Sequence, residues 1–207
     1  METKKILAIF HPELCYSQYM LFDGLCELLG CNNIILSPDI KHYHAENDDW
    51  YFLSDGKKGF TSPISFMKPV PKNNEFVNEM EIIEGIKKGD FQFVLSSQRT
   101  YAFIALSKIM SAFSNKLPIP LVMFDGEDSP DIRTDLLDKF HPDILLKREY
   151  LSNRQYQYNG VKILPFPFSC PYNGMPVFTP EESAKDIDVF FSVGRTDPKR
   201  VEVVERL

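Results

Sequence analysis

Four sets of residues have types and spacing suited to chemistry. Asp125-Gly126-Glu127-Asp128 places three carboxylates within four residues. Such a cluster can orient hydroxyl groups or, as the lesser expectation, hold a divalent cation. The plain alternative is that Asp128 or Ser129 caps a helix starting at Pro130, with the acids favouring its positive end. Capping leaves Asp125 and Glu127 unexplained. His11, just before Pro12, could take a proton from a hydroxyl nucleophile as a neutral imidazole, or it could be a turn histidine and nothing more. Lys147-Arg148, flanked by Asp143 and Glu149, could meet a phosphate; a structural ion pair with the Asp125 cluster is the favoured reading, and Arg99 could act likewise. Gly194-Arg195, with Lys199 and Arg200 close behind, is the best phosphate candidate. Glycine lets the backbone approach, a helix start supplies partial positive charge, and the guanidinium binds in a bidentate manner. A basic surface turn would look the same.

Most of these candidates follow an apolar run, and the runs supply the scaffold. Lys5–Phe10 reads as a strand, Leu14–Leu29 as a helix with Leu14, Leu21, Leu25 and Leu28 on one face, and Asn33–Ser37 as a second strand. Strand, helix and strand joined by short links imply a Rossmann-like, doubly wound, mostly parallel sheet. The rhythm breaks over 39–74. There, two aromatic runs flank Ser54–Gly59 and suggest a β-hairpin excursion from the sheet edge. It resumes with a helix over 75–88 (Phe76, Met80, Ile83 and Lys87 along one side), a strand over 91–95 and an apolar helix over 100–114. A strand over 120–124, a helix over 131–140 and strands over 143–146 and 162–168 complete the series. Ligands of such sheets bind beyond the carboxyl ends of the strands, where His11, Arg99, Asp125 and Lys147 fall.

The region 170–186 holds Pro171, Gly174, Pro176 and Pro180 and has the composition of an interdomain linker. Val189–Val193 is then a β-prone run, and Asp197-Pro198 opens a helix with Val201, Val204 and Leu207 at helical spacing. The division expected is a Rossmann-like domain over 1–169, a linker over 170–186 and the truncated start of a second Rossmann-like domain over 187–207. The formal net charge of −6 argues against a nucleic-acid partner. No apolar run approaches the ~20 residues of a membrane span, and Met1–Lys5 leads straight into a strand with no signal peptide. The four cysteines lack zinc spacing, so free thiols, no metal and a cytoplasmic location are expected.

The layout, together with FDGEDSPDI (124–132), LLKREYL (145–151), ILPFPFS (163–169) and the fresh strand ending FFSVGR (190–195), resembles a GT-B glycosyltransferase cut just after its second domain begins. The phrases are similar to bacterial glycosyltransferases of the group 1 or spore-coat-associated type. The resemblance implies an N-terminal domain that holds a hydroxyl acceptor and a C-terminal domain that binds a nucleotide-sugar as co-substrate, without a further cofactor. It implies catalytic roles for His11 and Asp125, and contacts from Gly194, Arg195 and Arg200 to the donor diphosphate. Glu127, Asp128, Lys147, Arg148 and Arg99 would line the substrate site. Most of the family's donor site lies beyond residue 207, so this chain alone is expected to be inactive and to need a further domain or a second copy. Two other readings stand beside it: a non-catalytic Rossmann-like binding or interaction module, and a metal-dependent hydrolase using 125–128.

Overall fold

A computed structural model describes residues 5–12, 16–38, 78–127, 129–151 and 156–166. The chain divides into two units, Met1–Met175 and Pro176–Leu207, and the second falls wholly outside the described residues. So do the expected hairpin excursion over 39–74, the linker, the second strand–helix unit, and Cys15 and Cys170.

Among the described residues, six strands form one all-parallel sheet: β1 (Lys5–Ile9), β2 (Ile34–Ser37), β3 (Phe91–Ser97), β4 (Leu121–Asp125), β5 (Ile144–Lys147) and β6 (Lys162–Pro165). Their order is β2-β1-β3-β4-β5-β6. The helices are α1 (Tyr16–Leu29), α2 (Glu79–Lys88), α3 (Thr100–Ser111) and α4 (Thr134–Phe140). The order reverses between β1 and β3. Parallel crossovers are right-handed, so reversal sends α1 to one face and the later helices to the other. The core divides accordingly. Ile6, Ala8, Phe10, Leu95 and Phe124 pack with Tyr19, Met20, Phe22 and Cys26 of α1. Leu7, Ile9, Val94, Met123 and Leu145 pack with Ile82, Ile83 and Ile86 of α2, Leu106 and Ile109 of α3, and Leu137 and Phe140 of α4. This is a Rossmann-like α/β fold, covered on both sides as an all-parallel sheet must be. Among the described residues, no helix is long and apolar enough to cross a membrane.

Three local expectations need correction. In α1 the inward stripe is Tyr19, Phe22, Asp23 and Cys26, while Leu28 is 80% exposed and Leu21 and Leu25 are only half-buried. That stripe follows the i, i+3, i+4, i+7 rule, and the polar residue at its third place hides it from an apolar count. In α2, Met80 is 66% exposed, and Ile82, Ile83 and Ile86 face inward. A capping box fixes the start. The Asn78 side chain accepts from Glu81 N at 3.0 Å, and Glu81 Oε2 accepts from Asn78 N at 3.4 Å, so the apolar stripe begins only after them. Finally, Ser129 does not cap α4. That helix starts at Thr134, and Ser129 Oγ instead accepts from Asp131 N at 3.2 Å within the preceding turn. Asp128 lies outside the described residues.

Candidate functional site

The carboxyl edge of the sheet is built by the residues that end β1, β3, β4 and β5. Because β4 and β5 pair Asp125 with Lys147 in register, parallel pleating sends both side chains to the same face. Met123 and Leu145, two residues back, belong to the α2–α3–α4 core, so that is the face concerned. Lys147 Nζ donates to Asp125 Oδ2 at 2.6 Å, and the two side chains are 0% and 1% exposed. The ammonium also donates to the Ser129 carbonyl oxygen, and Asp125 Oδ1 accepts from Glu127 N at 3.0 Å. One buried charge pair thus ties the end of β4 and Ser129 to the end of β5. In such surroundings the desolvation penalty is tolerated only when each charge is paired and further hydrogen-bonded, as here.

The other charged candidates are held by the same corner. Arg148 N donates to the Asp125 carbonyl at 3.0 Å, and its Nε lies 3.3 Å from Glu149 Oε1. Glu127 is exposed, and with Asp125 it adds to the field on Arg133. The Arg133 guanidinium is held above its ordinary pKa, first by its hydrogen bond to Asp135. Asp135 in turn lies below the usual carboxylate range because of the same bond, at 2.8 Å. Arg99 is exposed at the N-cap of α3, where its side chain makes no capping bond. Asp128, Gly194, Arg195 and Arg200 lie outside the described residues.

His11 ends β1 beside the point where strand order reverses. Its backbone N donates to Gln18 Oε1 at 2.7 Å, and its ring meets the Tyr101 ring edge-on at 6.2 Å. β3 stands between β1 and β4, so His11 and Asp125 terminate strands about 10 Å apart at ordinary strand spacing. The structure therefore joins Asp125 with Lys147, Arg148 and Glu127 and keeps His11 as a separate group across β3.

The sequence places Ser96–Arg99 at this edge as the loop after a strand but gives Ser97 and Gln98 no role, and it leaves Gln18 unnoticed. Gln18 is fully buried, Ser97 is 2% exposed and Gln98 is 4% exposed. Among the described residues, Gln18 Nε2, Ser97 Oγ and both amide atoms of Gln98 have no hydrogen-bond partner. Ser97 pairs in register with Phe124, whose ring lies in the α1 core, so its hydroxyl belongs to the α1 side of the sheet. The start of α1 spans the same ground. Gln18 reaches the end of β1, while Ser17 Oγ would lie 2.9 Å from a Cβ placed on Gly126 at the end of β4. That approach explains the glycine: a side chain would also meet the Phe124 ring at 3.0 Å. Gln98 stands on the last rung, its N donating to the Phe124 carbonyl, directly before α3. The signal for these residues was present as two consecutive polar residues at the start of a largely apolar helix and as Ser-Ser-Gln closing an apolar strand.

The amino edge is different. A cavity of about 260 Å³ opens there, lined by Leu117, Ile119, Phe140, His141 and Asp143 among others. Its carboxylate is engaged, since Asp143 Oδ2 accepts from Leu121 N at 2.8 Å and ties the starts of β4 and β5. Among the described residues, no group of three or more His, Cys, Asp or Glu is placed to hold a metal ion. Comparison with protein-family models, with curated proteins and with solved structures found no match.

Proposed function

We propose that this chain is the acceptor half of a GT-B-type glycosyltransferase, binding a neutral, hydroxyl-rich acceptor at the carboxyl edge of its sheet. What carries the reading is the set of buried, unpartnered neutral groups around the switch between β1 and β3: Gln18 Nε2, Ser97 Oγ and the Gln98 amide. Buried polar atoms are nearly always satisfied, so these groups await water or ligand. They include donors and acceptors without net charge, which suits hydroxyls better than a phosphate or carboxylate. The position obeys the rule for open α/β sheets. His11, beside the same switch, is the group available to take a hydroxyl proton, and the donor diphosphate would meet Gly194, Arg195 and Arg200. Asp125 acts as a brace through Lys147 and not as a second base.

The test is binding of a panel of monosaccharides, disaccharides and polyols to the purified chain, read by ligand-observed NMR. At least one should bind, and Gln98→Leu should weaken it about tenfold, the effect of one hydrogen bond of ~1.4 kcal/mol. Absence of binding across the panel, or equal binding by Gln98→Leu, would overturn the assignment. A non-catalytic binding module is the second reading, favoured by the full engagement of Asp125 with Lys147. The two separate on whether a chain extended by a donor domain transfers sugar from a nucleotide-sugar to the ligand found, and whether His11→Ala abolishes transfer while leaving binding intact.

A further inference from the structure

The far end of α1, at the amino edge, carries two thiols that the proposed function does not use. Cys26 lies in the last turns of α1 and is 8% exposed within the core formed by Tyr19, Met20 and Phe22. Cys31 is half-buried and packs against that core from the following 3-10 turn, Cys31–Asn33. Gly30 reverses the chain between them with φ of 82°, and its N donates to the Cys26 carbonyl at 2.8 Å. Asn33 N donates back to the Gly30 carbonyl at 3.0 Å, which fixes the corner. The corner thereby sets both side chains, five residues apart in sequence, against the same apolar cluster. Both thiols are free.

We propose that Cys26 and Cys31 form a thiol–disulfide exchange site whose co-reactant is a small-molecule disulfide of the glutathione class. Cys31, the more accessible sulfur, attacks as thiolate. Its new S–S bond forms as the reagent's own S–S bond breaks, releasing one reduced thiol. Cys26 then loses its proton and attacks the Cys31 sulfur, closing the intramolecular bridge and expelling the second reduced thiol. Two protein thiols are oxidised, one disulfide is reduced, and two molecules of reduced reagent leave. Burial, followed by the Cys31 contact, pushes the Cys26 thiol well above its ordinary range. The second step is therefore the slower one, and the mixed disulfide at Cys31 precedes the bridge.

The experiment incubates a Cys15→Ser/Cys170→Ser chain with oxidised glutathione, followed by alkylation and intact-mass measurement over time. The expected course is a transient glutathione adduct that gives way to a product lacking two hydrogens and resistant to alkylation, restored by dithiothreitol. Cys26→Ser in that background should stop at a persistent adduct, and Cys31→Ser should form little of either. An adduct that persists with Cys26 present, or alkylation of both thiols undiminished, would overturn the proposal. Should the double variant fail to fold, wild type gives the same decision. Cleavage after Glu27 separates Cys26 from Cys31, and fragmentation of any linked peptides shows whether the bridge is Cys26–Cys31 or another pair.

Discussion

Replacing Lys147 by methionine should expose the largest single electrostatic dependence in the described part of the fold. The substitution nearly conserves the length of the side chain, so cavity formation is a minor part of its effect. It removes both bonds of the ammonium, to Asp125 Oδ2 and to the Ser129 carbonyl. Asp125 is left 1% exposed with its carboxylate facing only the Glu127 N–H. Breaking a buried pair by deleting one partner costs about 3–5 kcal/mol, because the surviving charge has lost compensation without regaining water. Urea unfolding followed by tryptophan-independent far-UV circular dichroism would measure it. With a slope of about 2 kcal/mol/M, the midpoint should fall by about 2 M. Asp125→Asn in the Lys147→Met background should return part of that loss, since the orphaned charge then disappears. A Lys147→Met midpoint within about 0.5 M of wild type would refute the claim that this pair braces the edge. So would strict additivity of the two substitutions, because contacting residues must couple.

Three further outcomes are expected. Gly126→Ala should destabilise by about 1–3 kcal/mol through overpacking against Ser17 and the Phe124 ring, and Ser17→Ala should relieve part of it in a double-mutant cycle; a neutral Gly126→Ala would contradict the close approach of α1 to β4. Asn78→Ala should cost about 1 kcal/mol by opening the capping box of α2, measurable as a loss in denaturant midpoint that Asn78→Ser largely avoids. Burial, followed by Asp23, Cys26 and Cys31, raises the Tyr19 phenol above its ordinary value. The folded state therefore holds the phenolic proton more tightly than the unfolded chain. That contribution is full below a pH of about 10 and is lost as pH rises beyond it. Unfolding free energy measured from neutral to strongly alkaline pH should fall less steeply for Tyr19→Phe than for wild type, and identical alkaline slopes would dispose of the reasoning.

Strand positions were readable because each is a short apolar run that ends in a change of composition. Pairing adds what spacing alone does not: Asp125 and Lys147 become neighbours because β4 and β5 are adjacent and in register. Helix faces were harder to read. None of the four leucines of α1 is buried, and Leu28 faces water while Tyr19, Asp23 and Cys26 face the sheet. A buried aspartate within the stripe defeats a purely hydrophobic count. In α2 the error came from extending the helix upstream of its cap, which shifted the supposed stripe away from Ile82 and Ile86.

The same physics explains why the candidate site was only partly visible. A sequence draws attention to charges, and a strand end rich in Asp, Glu, Lys and Arg invites a catalytic reading. At a buried sheet edge, however, a charge must find an opposite charge before it can serve a ligand, and Lys147 satisfies that demand for Asp125. Neutral side chains are under weaker pressure to pair and can remain open at lower cost. Gln18, Ser97 and Gln98 are such groups, and they become conspicuous only when every buried donor and acceptor is followed to a partner. The brace and the open groups belong together: tying Asp125 and Ser129 to Lys147 holds Gly126 against Ser17, which anchors the start of α1 beside Gln18. The charged residues thereby position the edge, and in the function proposed above the uncharged ones recognise what binds there.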